Sequence, residues 1–92
     1  MEFEWDNNKD LLNQKKHGVS FYEAQFAFID SKRIIALDKK HSNDNELRYF
    51  CFGKVKNQIL TVRFTVRNEK IRIFGAGYWR EGKEKYEKEN KL

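Results

Sequence analysis

The chain has 92 residues, no proline, a single cysteine, 15% aromatic residues and a formal net charge of +5. That length suits one domain over residues 1–92, with enough aromatic area to close a core without disulfide or metal staples. A lone cysteine excludes an internal disulfide, and no apolar run reaches the length of a signal-peptide core or a membrane span, so the composition points to the cytoplasm. The charge is unevenly spread: residues 46–80 hold 8 basic and 2 acidic side chains, whereas residues 1–45 hold 7 and 8, and residues 81–92 hold 4 of each. A cationic excess confined to one region favours a polyanionic partner, most often nucleic acid.

In chain order, Phe3 and Trp5 alternate with Glu2 and Glu4, the period of a short strand over residues 2–5. Asp6 is placed to N-cap a helix over Asn7–His17, with Leu11 and Leu12 as its apolar stripe and Lys15, Lys16 and His17 at its C-terminal end. Gly18 follows as the residue that ends it. Ser20 and Glu23 have capping-box spacing, with Val19 and Ala24 as the staple. Phe21, Ala24 and Phe28 then give a second helix one buried face as far as about Asp30.

Arg33–Leu37 predicts a strand, and Lys39–Asn45 a polar connection. Leu47, Tyr49 and Cys51 then alternate with Arg48, Phe50 and Phe52. Leu60, Val62, Phe64 and Val66 alternate in the same way with Thr61, Arg63, Thr65 and Arg67, and Lys70–Phe74 returns as a further strand. Two-residue turns at Lys56-Asn57 and Asn68-Glu69 set the register: Cys51 opposite Val62, Tyr49 opposite Phe64, Arg48 opposite Thr65, Val66 opposite Ile71, Thr65 opposite Arg72 and Phe64 opposite Ile73. Gly75-Ala76-Gly77 is expected to break this last strand. Arg80–Leu92 predicts an exposed terminal helix anchored by Tyr86 and weakened by Gly82. The resulting order is β-α-α-β-β-β-β-α, an α+β fold with a small antiparallel sheet, two N-terminal helices packed on it and a C-terminal helix.

With that register Arg48, Thr65 and Arg72 form a row across three strands, flanked by Arg63 and Arg67 and by Phe50, Phe52 and Phe74. Guanidinium forks on such a face match phosphate oxygens bidentately. The three aromatic residues either stack on unpaired bases, as Trp79 could, or form a second core beneath the C-terminal helix, which is the favoured reading. Metal chemistry and cofactor loops are not supported. His17, His41 and Cys51 have no ligand-pair spacing, the Gly75–Gly77 run lacks the lysine of a phosphate loop, and Cys51 falls on the apolar face. RNA cleavage without metal needs a base for the 2′-hydroxyl, positive charge around the phosphorane and an acid for the 5′-oxygen. Arg48, Arg67 and Arg72 suit the charge. His41 or Glu46 suits the base, and His17, His41 or Tyr86 the acid. Each has a plainer role open to it: Glu46 and Arg48 as a surface ion pair, His17 as a helix cap, His41 as a solvated loop residue.

Across nearly its whole length the chain resembles the BrnT family of bacterial type II toxins. The matching positions run from Phe3-Glu4-Trp5-Asp6, Lys9 and Asn13 through Lys16-His17-Gly18-Val19-Ser20-Phe21, Glu23-Ala24 and Phe28. They continue with Asp38, His41-Ser42, Glu46, Arg48 and Gly53, then Thr65, Arg67, Ile71-Arg72-Ile73, Ala76 and Tyr86-Glu87. The resemblance implies a RelE-like fold, growth inhibition by RNA cleavage (possible on the ribosome), no cofactor, and neutralisation by a BrnA-type antitoxin. That antitoxin's ribbon-helix-helix domain would bind operator DNA. It also implies Lys16, His17, His41, Glu46, Arg48, Arg67 and Arg72 as functional positions; Arg63, Arg80 and Trp79 join them as RNA contacts. Many members continue Ile-Arg-Ile with Ser-Ala-Arg, whereas here the run is Gly75-Ala76-Gly77, so a glycine stands at an arginine position.

Overall fold

Two tight turns organise the sheet. Lys56 (φ 52°) with Asn57 (φ 64°), and Asn68 (φ 50°) with Glu69 (φ 65°), all lie in the left-handed region, as two-residue hairpins of the primed type require. The computed structural model describes residues 1–92. The turns join β3 (Arg48–Val55), β4 (Gln58–Arg67) and β5 (Lys70–Gly77) into a meander; β2 (Ile34–Leu37) and β1 (Glu2–Trp5) flank it. The strand order is β1-β5-β4-β3-β2, with β1 parallel to β5 and the other neighbours antiparallel. Every pairing expected from the turns is present, and the Arg48–Thr65–Arg72 row extends to Glu4 on β1.

One face carries the core. Cys51, Leu60, Val62, Phe64, Ile73 and Ala76 pack against Val19, Phe21, Ala24, Ala27 and Phe28 of the helical segment. Helix α1 (Asn7–His17) begins at Asp6, whose Oδ1 accepts from the Asn8 and Lys9 amides, and ends at Gly18 in the left-handed conformation (φ 68°). Its expected apolar stripe is not the buried one: Leu11 and Leu12 are exposed, and Asn13 is its buried residue. The reason is hydrogen bonding. The Asn13 amide donates to Ala76 O (2.9 Å) and Val19 O (2.9 Å) and accepts from Ala76 N (3.1 Å), making the bonds a neighbouring strand would make where β1 has ended.

Helix α2 (Phe21–Ala24) opens on the expected Ser20–Glu23 capping box but tightens into a 3₁₀ turn over Gln25–Phe28 instead of running as an α-helix to Asp30. This segment lies directly on β3: a Cβ at Gly53 would sit 2.2 Å from Ala27 O, so only glycine allows the approach.

Strand β5 also departs from expectation, continuing through Gly75 to Gly77 instead of breaking there. A bulge makes Phe74 the extra residue between the Phe64–Ile73 and Arg63–Gly75 pairs. Helix α3 (Arg80–Glu89) crosses the opposite face of the sheet, anchored by the buried Tyr86 as expected. Gly82, expected only to weaken it, is a packing residue: a Cβ there would lie 2.0 Å from Thr61 Oγ1 and 3.0 Å from Phe52 Cδ1. No helix is long and apolar enough to cross a membrane.

Candidate functional site

The sheet face left open by α3 gathers the arginines. Glu46, just before β3, uses both carboxylate oxygens on two of them: Oε2 accepts from Arg48 Nε (2.9 Å) and Oε1 from Arg67 Nη2 (2.6 Å) and Nε (3.1 Å). Hydrogen bonds from Arg67 and then Arg48 hold the Glu46 carboxyl below its ordinary range. A carboxylate held this way is a poor proton acceptor but a good clamp, fixing two guanidinium groups while the Nη nitrogens of Arg48 stay free. Arg48 also lies over the Phe74 ring, 4.6 Å from its centroid, and Arg63 lies over the same ring at 5.6 Å. Phe74 therefore sits beneath guanidinium groups and not beneath α3. Arg72 faces Glu4 at 3.6 Å, a loose pair.

His41 stands in the connection between β2 and β3, and that connection is tied down. Asp38, its side chain 5% exposed, accepts from His41 Nδ1 (2.9 Å) through Oδ2 and from the His41 amide (3.3 Å) through Oδ1. Ser42 Oγ donates to Asp38 O (2.7 Å) and accepts from Arg48 N (2.8 Å), while Asp38 N donates to Arg48 O (2.8 Å). With Nδ1 engaged by the carboxylate, Nε2 is the ring nitrogen left to face the cavity's contents. The His41 side chain is 44% exposed and lines a cavity of about 330 Å³ between α3 and the sheet, together with Phe50, Phe52, Arg63 and Trp79. The sequence points to His41 but misses Asp38 as its partner. The three-residue spacing inside a polar loop was the available signal, since Asp commonly bonds backbone amides further along the chain.

Of the remaining candidates, His17 and Trp79 meet edge-to-face, with ring centroids 5.1 Å apart, beside the same cavity. Trp79 covers Gly77, where a Cβ would lie 2.7 Å from the indole, so the glycine at this position is matched to the ring above it. Lys16 is exposed on α1 without an ion pair, and Arg80 lines a separate cavity of about 540 Å³ with Lys54, Lys83 and Tyr78. Tyr86, considered as an acid, donates to Asp30 Oδ2 (2.6 Å), and burial together with that carboxylate pushes its pKa up to about 12. This is a structural bond. The Cys51 thiol is fully buried and likewise pushed up to about 12, chiefly by burial, which makes it inert. No three His, Cys, Asp or Glu side chains come together in a metal-binding group.

These features define a small α+β protein whose five-stranded sheet is packed on one face and lined with guanidinium groups on the other. A family model described as the ribonuclease toxin BrnT of type II toxin-antitoxin systems matches residues 5–83, and the chain belongs to that family. No curated protein matches it. Membership makes it a ribonuclease toxin of a type II pair, with RNA as substrate and a protein antitoxin as partner.

Proposed function

We propose that the chain is an endoribonuclease that cleaves RNA without a metal ion and so inhibits translation and growth. We further propose that a BrnA-like ribbon-helix-helix antitoxin neutralises it and carries the complex to operator DNA. Arg48, Arg67 and Arg72, with Arg63 beside them, would surround the phosphate as negative charge builds on its non-bridging oxygens. His41 would take the proton of the 2′-hydroxyl at Nε2 as that oxygen attacks phosphorus. The bond to the 5′-oxygen breaks, leaving a 2′,3′-cyclic phosphate, and that oxygen takes a proton from solvent water. Asp38 would orient the ring and stabilise the imidazolium. Glu46 serves better as the clamp on Arg48 and Arg67 than as a base. The observation that carries this reading is the His41–Asp38 pair opening onto a cavity that shares Arg63 with the arginine cluster.

The test is cleavage of a single-stranded RNA in EDTA, with and without the antitoxin, by wild type, Arg67→Ala/Arg72→Ala and His41→Ala. Wild type should cleave in EDTA and be silenced by the antitoxin, and His41→Ala should lose about 10²- to 10⁴-fold in rate. Retained RNA binding with no cleavage by wild type would instead make the chain a binding module. The glycine at the family's arginine position favours that alternative.

A further inference from the structure

We infer that the cavity between α3 and the sheet receives one unpaired nucleobase of the RNA, next to the phosphate held by the arginine cluster. The inference rests on the nuclease reading for its substrate and adds which part of that substrate the protein reads. At about 330 Å³ the cavity lies at the small end of ligand pockets, too small for a peptide helix about 10–12 Å across. Its walls are aromatic. The Phe50 and Phe52 rings are nearly parallel (20°, centroids 5.7 Å apart), Phe50 is only half-buried, and Trp79 stands 39% exposed at the rim. Flat apolar rings of this kind stack on unpaired bases whatever their identity.

Two features turn a general apolar pocket into one suited to a nucleotide. Arg63 belongs both to the cavity lining and to the Phe74 cluster, so a base in the cavity leaves its backbone phosphate beside guanidinium groups. Lys85 adds positive charge, and Glu81 is the one carboxylate lining the cavity, an acceptor for a base amino group.

The test uses a 2′-O-methyl oligonucleotide, which cannot be cleaved, carrying one 2-aminopurine and an end label. Binding is followed by anisotropy of the label, and base insertion by quenching of the 2-aminopurine. Wild type should quench on binding. Phe50→Leu, which keeps an apolar side chain but no ring, should quench less and bind about 5- to 100-fold more weakly. Replacing the 2-aminopurine with an abasic nucleotide should make wild type and Phe50→Leu bind alike. RNA bound without quenching, or an equal loss by Phe50→Leu on intact and abasic oligonucleotides, overturns the pocket and leaves the nuclease reading standing. An absence of binding to every oligonucleotide overturns both, and an antitoxin that occupies the cavity while RNA binds unquenched assigns it to the protein partner instead.

Discussion

The two faces of the sheet use the same strands and the same register, and adjacent rows have opposite tasks. Tyr49, Phe64 and Ile73 line up on the helix-covered face, Tyr49 stacking on Phe64 at 5.4 Å and Phe28 meeting Phe64 edge-on at 5.0 Å. One residue along, Arg48, Thr65 and Arg72 line up on the other face, which α3 covers only in part. The first row is dry and fixes the backbone. The second uses that fixed backbone to hold like charges close together, offset by the Glu46 carboxylate and the Phe74 ring. Positive charge can be concentrated on one face because the other supplies the stability.

The largest effect should come from breaking the dry row. Phe64→Ala should cost about 3–5 kcal/mol, which lowers Tm by more than about 12 °C in a domain of this size, and function should fall with the fold. Next, Arg48→Ala/Arg72→Ala should lower RNA cleavage by about 100-fold or more while Tm moves by only a few degrees. If these two variants exchange their signatures in thermal melts and cleavage assays, the division between the faces is wrong.

Tyr86→Phe sharpens the comparison at the seam, since it removes a hydrogen bond to a carboxylate and should cost about 1.5–3 kcal/mol. Its pH dependence has a definite sign. The folded phenol titrates at about 12 instead of 10.0, so its contribution is complete below pH 10 and lost as pH rises towards 12. For Asp30, burial acts to raise the pKa, but hydrogen bonds from Tyr86 and the Lys54 and Lys32 amides outweigh it. That lowered carboxyl contributes above pH 3.8 and loses its contribution as pH falls below that value. Urea melts of wild type and Tyr86→Phe should therefore converge at high pH. The smallest effect should be that of Gly82→Ala. Overpacking against Thr61 costs about 1–3 kcal/mol, offset by about 1 kcal/mol of helix propensity. Replacing Thr61 by Ala as well should recover part of the loss in a double-mutant cycle.

The meander was legible in the sequence because its determinants are local. Asn57 and Asn68 close two-residue turns, strict alternation does the rest, and the arginine row follows from the register alone. The ion pair of Glu46 with Arg48 was likewise visible, two positions apart in the chain at the entry to β3. What escaped depends on distant groups. Asn13 is buried because Ala76, 63 residues away, needs partners for its amide and carbonyl. Gly53 and Gly82 are required by the backbone and side chains of other elements, which no periodicity records. Asp38 and Arg67 complete the His41 and Glu46 clusters through loop geometry and sheet pairing respectively, so only part of each cluster could be read from its neighbourhood.

The amide of Asn13 also covers backbone that would otherwise extend the exposed margin of the sheet. A sheet has two outer strands, and each bare N–H and C=O along them is an invitation to a further strand. Along β5, β1 covers the stretch up to Ile73, and Asn13 then takes both backbone groups of Ala76. That covers β5 itself, and the outer margins of the sheet are those of two four-residue strands, β1 and β2. Both margins are short, which limits what a further strand can gain there, and Asn13→Leu would bare the amide and carbonyl of Ala76 as an additional one.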